Sequence, residues 1–240
     1  MTVGTSVLLA VVAFVASTLA AVTGFGGAAV LLPVLVIVFG VRDAVPILTV
    51  AQLIGNGSRV WFNRRELDLR VVGWFAAGGV PLALAGGLLF ARAPLAALTR
   101  LLGAVLILMV IWRRTRSRPP RPPVRSFAAI GAASSFLSAL IGSVGPLMAP
   151  FFLAYGLVKG AYIGTEALAT VVMHVTKLVA YGAASVLTTA SVVAGIGLGP
   201  IMVAGSATGK RIVDRLPERV FVMIIETTMI AAGLLFLIRG

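Results

Sequence analysis

Apolar runs of bilayer-spanning length recur along this chain, and nothing else in it restricts folding as severely. Val3–Val22, Val71–Phe90, Leu95–Trp112 and Val220–Ile238 are each close to the roughly 20 residues that cross a hydrocarbon core as a helix. Backbone groups in lipid must be satisfied within such a segment, so each run predicts an α-helix. The chain as a whole is 60% hydrophobic and 11% charged, too apolar for a soluble domain of 240 residues. The N-terminus lacks a basic region and a small-residue cleavage site, so it reads as the start of the first span.

Two of the helices carry polar stripes. Gln52, Asn56, Arg59 and Asn63 share one face of an apolar helix. Adding 118 to each number gives Thr170, His174, Lys177 and Tyr181, a second stripe with its basic residue in the same place. The offset holds elsewhere. Gly24-Phe25-Gly26-Gly27 is echoed by Gly142-Ser143-Val144-Gly145-Pro146, Pro33 by Pro150, Arg42 by Lys159, and Pro81 by Pro200. A near-constant offset over more than 100 residues marks an internal repeat. The expected organisation is a first transmembrane repeat at 1–112, a basic Pro/Arg linker at 113–125, and a second repeat at 126–240.

Each repeat holds five apolar segments, so the second enters the membrane inverted. Basic residues agree with that count. Arg64, Arg65, Arg70, six linker arginines, Lys159, Lys210, Arg211, Arg215 and Arg219 fall on one side, fourteen in all. Four, Arg42, Arg92, Arg100 and Arg239, fall on the other. The bias puts the linker in the cytoplasm and both termini outside. The expected fold is an all-α polytopic membrane protein. It has two inverted-topology repeats, each with a glycine-broken helix pair and three further transmembrane helices. The cell membrane is the expected location, crossed many times.

The glycine breaks free backbone groups at membrane depth, which is tolerated only inside protein or along a wet cavity. Each broken pair is either a re-entrant hairpin or a full span followed by a half-span. The chain from Ala28 to Phe39 reaches only about 20 Å as a helix. Helix N-termini at Gly24, Gly26, Gly27, Gly142 and Gly145 would present positive dipole ends. Together with Arg59, Lys177, Asn56, His174, Gln52 and Thr170 they form a candidate binding site for a small anion. Arg59 lies five residues from Arg64, so it can instead snorkel to the interface. Glu166 and Glu226 are acidic residues in apolar runs. Each either takes up a proton during transport or pairs with Lys177 or Arg59. His174 is either a proton relay or a packing residue.

Other classes find less support. There are no cysteines and only one histidine, so no disulfide framework and no Cys- or His-based metal site is expected, and no cofactor. The net charge of +13 sits mainly in short loops, which fits membrane orientation and not nucleic acid. An intramembrane enzyme acting on a lipid-linked substrate would need a nucleophile–base set or paired carboxylates, and none stands out. A membrane assembly protein is the other alternative.

The Gly24-Phe25-Gly26-Gly27…Pro33 turn, the later Gly-Pro spans, the basic central linker and the duplicated plan resemble the sulfite exporter TauE/SafE family of membrane permeases. The second turn departs from the pattern, with fewer glycines and one residue less before its proline. The resemblance implies a permease for sulfite, sulfonates or related oxyanions in the cytoplasmic membrane. The striped helices independently suggest an anion. Inverted repeats with broken helices are a recurring transporter plan, in which alternating access is coupled to a proton or sodium ion.

Overall fold

The protein is seen in a computed structural model, which describes residues 3–90, 121–142, 145–225 and 227. The expected span at 95–112, most of the linker, the closing span beyond residue 225 and Glu226 lie outside them. Every described element is helical, and no strand occurs among the described residues.

Helix α1 (Val3–Thr23) ends at the first glycine break and α2 (Gly27–Phe39) starts after it. Helices α3 (Val41–Phe62) and α4 (Leu69–Phe90) follow. Beyond the linker, α5 (Ser126–Ile141) runs to the second break and α6 (Gly145–Tyr155) leaves it. Helices α7 (Lys159–Ala183) and α8 (Thr189–Arg215) come next, and residues 218–225 are again helical. Four helices, α1, α4, α7 and α8, are long and apolar enough to cross a membrane. With 13 and 11 residues, α2 and α6 are too short to do so alone.

Both breaks arise from glycine. Gly24, Gly26 and Gly142 take φ values of +82°, +89° and +85°, the left-handed region that side chains disfavour. Pro33 and Pro150 sit inside α2 and α6, and both helices continue through them.

The helices pack mainly across the chain's midpoint. Helix α4 lies along α5, and α1 along α8. Helix α3 contacts α7 and α8, while α7 also contacts α4. Without a hydrophobic driving force between helices in lipid, close backbone approach supplies the association. Gly78 faces the Ala128 carbonyl, and Gly131 faces that of Phe75, so a methyl group at either would overlap the neighbouring helix. On the other seam a Cβ at Gly205 would stand 2.7 Å from the Phe14 oxygen. Ser17 Oγ also bonds the Met202 carbonyl there and lies 3.0 Å from Ser206 Oγ. This arrangement leaves α3 and α7, the two striped helices, in the middle. Helix α7 is the more enclosed, with Tyr162, Lys177 and Tyr181 fully buried.

Candidate functional site

The two breaks meet. A Cβ at Gly145 would stand 2.6 Å from the Cβ of Phe25, so the second break packs directly on the first. Next to this contact is a small cavity of about 30 Å³. Its wall holds Gly24, Gly26 and Gly27 from one break, and Gly142 and Gly145 from the other. Gln52 and Arg59 of α3, Glu166, Thr170 and His174 of α7, and Ser138 of α5 complete its polar lining.

Arg59 is 6% exposed and turned inward, which excludes the snorkelling alternative. Its Nη1 donates to the carbonyls of Ala20 at 2.9 Å and Gly24 at 3.3 Å. Both lie at the end of α1, where the helix carries a partial negative charge; the Ala20 carbonyl also accepts from the Gly24 amide at 2.9 Å. Its Nη2 donates to Asn56 Oδ1, and the Asn56 amide donates in turn to the Gln52 carbonyl at 2.8 Å. Asn56 therefore orients Arg59 and does not itself line the cavity. Tyr162 caps the same helix end, its hydroxyl donating to the Thr23 carbonyl at 3.0 Å. Its ring presses on Gly24, where a Cβ would lie 2.5 Å from the ring edge.

Glu166 supplies the negative charge. Its Oε1 accepts from Thr170 at 3.0 Å, and its Oε2 lies 3.8 Å from Arg59 Nη1. Of the two partners expected for this acid, Arg59 is the one found. Oε2 is buried and receives no hydrogen bond among the described residues. The guanidinium thus feels the carboxylate but spends its donors on backbone and Asn56.

His174 is 2% exposed, yet neither ring nitrogen has a hydrogen-bond partner among the described residues. A buried imidazole that lines a cavity without partners is not the satisfied packing residue of the alternative reading. Lys177 is placed differently from expectation. It is fully buried, but Ser138 stands between it and the cavity and accepts from its Nζ at 3.3 Å. The two basic residues reach back equally far along the chain: Arg59 to residue 20, and Lys177 to residue 138, each across 39 residues.

Sequence reasoning missed Ser138, Tyr162 and the sulfur- and ring-bearing wall residues Met148, Met173 and Phe25. Ser138 had one available signal, because it is Ala20 shifted by 118. The others look like ordinary core residues in an apolar run. No group of histidines and acids among the described residues can hold a metal ion.

Chemically, the cavity combines one guanidinium, the starts of two short helices and an imidazole with free nitrogens. Against them stands one carboxylate. The guanidinium and the helix starts bring positive and partial positive charge to the wall of one space, although the Arg59 donors are engaged by backbone and Asn56. The protein-family model for the sulfite exporter TauE/SafE matches residues 9–236. No curated protein and no solved structure matches the chain.

Proposed function

The chain belongs to the sulfite exporter TauE/SafE family, which makes it an integral membrane transporter and not an enzyme, and from that premise we propose that it carries small oxyanions such as sulfite or a sulfonate through the cavity between its two breaks. One observation carries this reading: the starts of α2 and α6 and the Arg59 guanidinium converge on the same enclosed space. A helix N-terminus attracts anions, and two facing each other leave room for several acceptor oxygens. Arg59, Gln52, Thr170, His174, Gly24, Gly26, Gly27, Gly142 and Gly145 contact the anion in this proposal. Asn56 and Lys177 hold the contacting groups in place.

The transport cycle we propose is alternating access between two inverted repeats, residues 1–112 and 126–240, joined by a cytoplasmic linker at 113–125. Support comes from packing that is unchanged when halves are exchanged: α1 with α8 corresponds to α5 with α4, and α3 with α8 to α7 with α4. The equal 39-residue reach of Arg59 and Lys177 has the same symmetry. In this proposal the protein lies in the cell membrane, and the charge bias supports an orientation with both termini outside.

The test is flux of labelled oxyanions into liposomes holding purified protein, with sulfite, sulfate, a short alkyl sulfonate and a carboxylate as the panel. Saturable uptake of at least one sulfur oxyanion is the expected result, with competition among the members that bind. Uptake indistinguishable from protein-free liposomes across the panel would overturn the proposal.

A further inference from the structure

The Arg59 guanidinium is already faced by an anion, and that anion belongs to the protein. Glu166 reaches Arg59 from the opposite half of the chain, and its Oε2 is 3.8 Å away and free of hydrogen bonds among the described residues. Both residues line the cavity. We propose that the Glu166 carboxylate is a tethered stand-in for the substrate, which must take up a proton and release Arg59 before an oxyanion can bind. The inference rests on the anion-carrier reading above.

Charge is the reason. With Glu166 ionised, Arg59, the one lining cation among the described residues, is neutralised, and an oxyanion would enter beside a carboxylate in a medium of low dielectric constant. A proton on Oε2 removes the charge, and the resulting carboxylic acid can keep Oε1 on Thr170. The guanidinium then turns its field on the incoming oxygen atoms. When the anion leaves, the proton leaves Oε2 and the pair closes again. One proton is taken up for each anion bound, and nothing else changes hands.

Among the described residues, no other group near Glu166 can serve in its place. Helices α1, α2 and α5 carry no titratable side chain. From α3 comes Arg59, with Arg42 and Asp43 at its far end, and from α4 only Arg70, which is exposed. The loop between the two helices sets exposed Glu66 against Gly160 and Asp68 beside Thr165, where Asp68 Oδ1 is taken up by the Arg70 and Val71 amides. Helix α6 contributes Tyr155, whose ring lies under Arg121. On α8, Lys210 is paired with Asp214 at 2.5 Å. On α7 itself, Tyr162 is bound to the Thr23 carbonyl, and Lys177 lies behind Ser138. His174 gains a positive charge on protonation, so it can help an anion but cannot clear one away.

The experiment is calorimetric titration of purified protein with sulfate and with sulfite in buffers of different ionisation enthalpy, which counts protons taken up per anion bound. The parent protein should take up one more proton than Glu166→Gln, whatever proton the anion itself carries. Its affinity for sulfate should fall with rising pH by up to tenfold per unit more than that of Glu166→Gln. In liposomes, Glu166→Gln should exchange anion for anion but fail to accumulate it on an inward proton gradient. If Glu166→Gln does not fold, the parent alone decides: pH-independent sulfate affinity with no proton uptake overturns the proposal. Equal proton uptake by parent and variant overturns it as well. Failure of the parent to bind any oxyanion is a different outcome, which removes the carrier reading on which the inference stands.

Discussion

Lys177 meets the cavity only through Ser138, whose Oγ lies 3.3 Å from the lysine Nζ and whose side chain forms part of the wall. Lys177 therefore acts on an anion at second hand, and Arg59 acts directly. Arg59→Met should weaken oxyanion binding on the order of tenfold to a hundredfold, the loss of one charge-assisted hydrogen bond of about 1.5–3 kcal/mol. Lys177→Met should cost less than that, with Ser138→Ala smaller again. Calorimetry on the three variants ranks them, and an effect of Lys177→Met exceeding that of Arg59→Met reverses the assignment.

Stability should rank the same two cations in a related way. Arg59→Met leaves Glu166 buried without its partner and removes the side-chain donor from the Ala20 and Gly24 carbonyls. Stranding a buried charge costs about 3–5 kcal/mol, so folded yield in detergent should drop sharply. Adding Glu166→Gln should recover part of it. Among the described residues Lys177 has no carboxylate within ion-pair distance, so Lys177→Met should fold as well as the parent or better. Size-exclusion profiles and melting curves of the four proteins test this.

Gly24 should accept no side chain. Its φ of +82° disfavours any Cβ by roughly 1–2 kcal/mol, and the Tyr162 ring occupies the place where that carbon would go. Gly24→Ala should lower the melting temperature and abolish uptake. Gly57, in the exposed part of α3 with nothing near its missing Cβ, is the control. Gly57→Ala should raise stability by about 0.5–1 kcal/mol and leave uptake intact. Equal tolerance at the two positions would mean that the break has no role.

Orientation can be read by labelling, since the chain has no cysteine of its own. Arg65 and Ala190 are both exposed, in loop and helix start respectively. An impermeant thiol reagent applied to intact cells should modify Ala190→Cys and spare Arg65→Cys until the membrane is opened. The reverse pattern would invert the topology drawn from the basic residues.

Much of this architecture can be read from one dimension. The breaks at Gly24–Gly27 and Gly142–Gly145 announce themselves because glycine clusters are conspicuous in apolar sequence, and the polar stripes because Arg59 and Lys177 are costly in a span. The offset of 118 predicts that the stripes are equivalents, and both helices take central places in the packing. Three-dimensional facts were less accessible. Nothing in the sequence pairs Glu166 with Arg59 in preference to Lys177, because the choice depends on how α3 and α7 cross. The depth of Lys177 was legible, but its screening by Ser138 was not, since a serine in a helix full of small residues signals only close packing. Arg59 looked close enough to the charged loop to escape the interior. Its inward turn depends on the carbonyls at the end of α1, which no side-chain pattern reveals.

The glycine seams between α4 and α5, and between α1 and α8, have a consequence for biosynthesis. Each seam joins a helix made early to one made after the linker. When the ribosome has finished the first half, Gly78 and the Phe14 region of α1 have no helix to lie against. Those surfaces wait in the bilayer until α5, and then α8, are inserted. Maturation is thus gated by the second half, and a chain arrested at the linker exposes the small-residue faces that quality-control proteases and insertion chaperones meet in orphaned membrane segments. Two chains so arrested can satisfy the seams only by pairing with a separately made second half, so co-expression of residues 1–120 and 121–240 should rescue what neither fragment achieves alone.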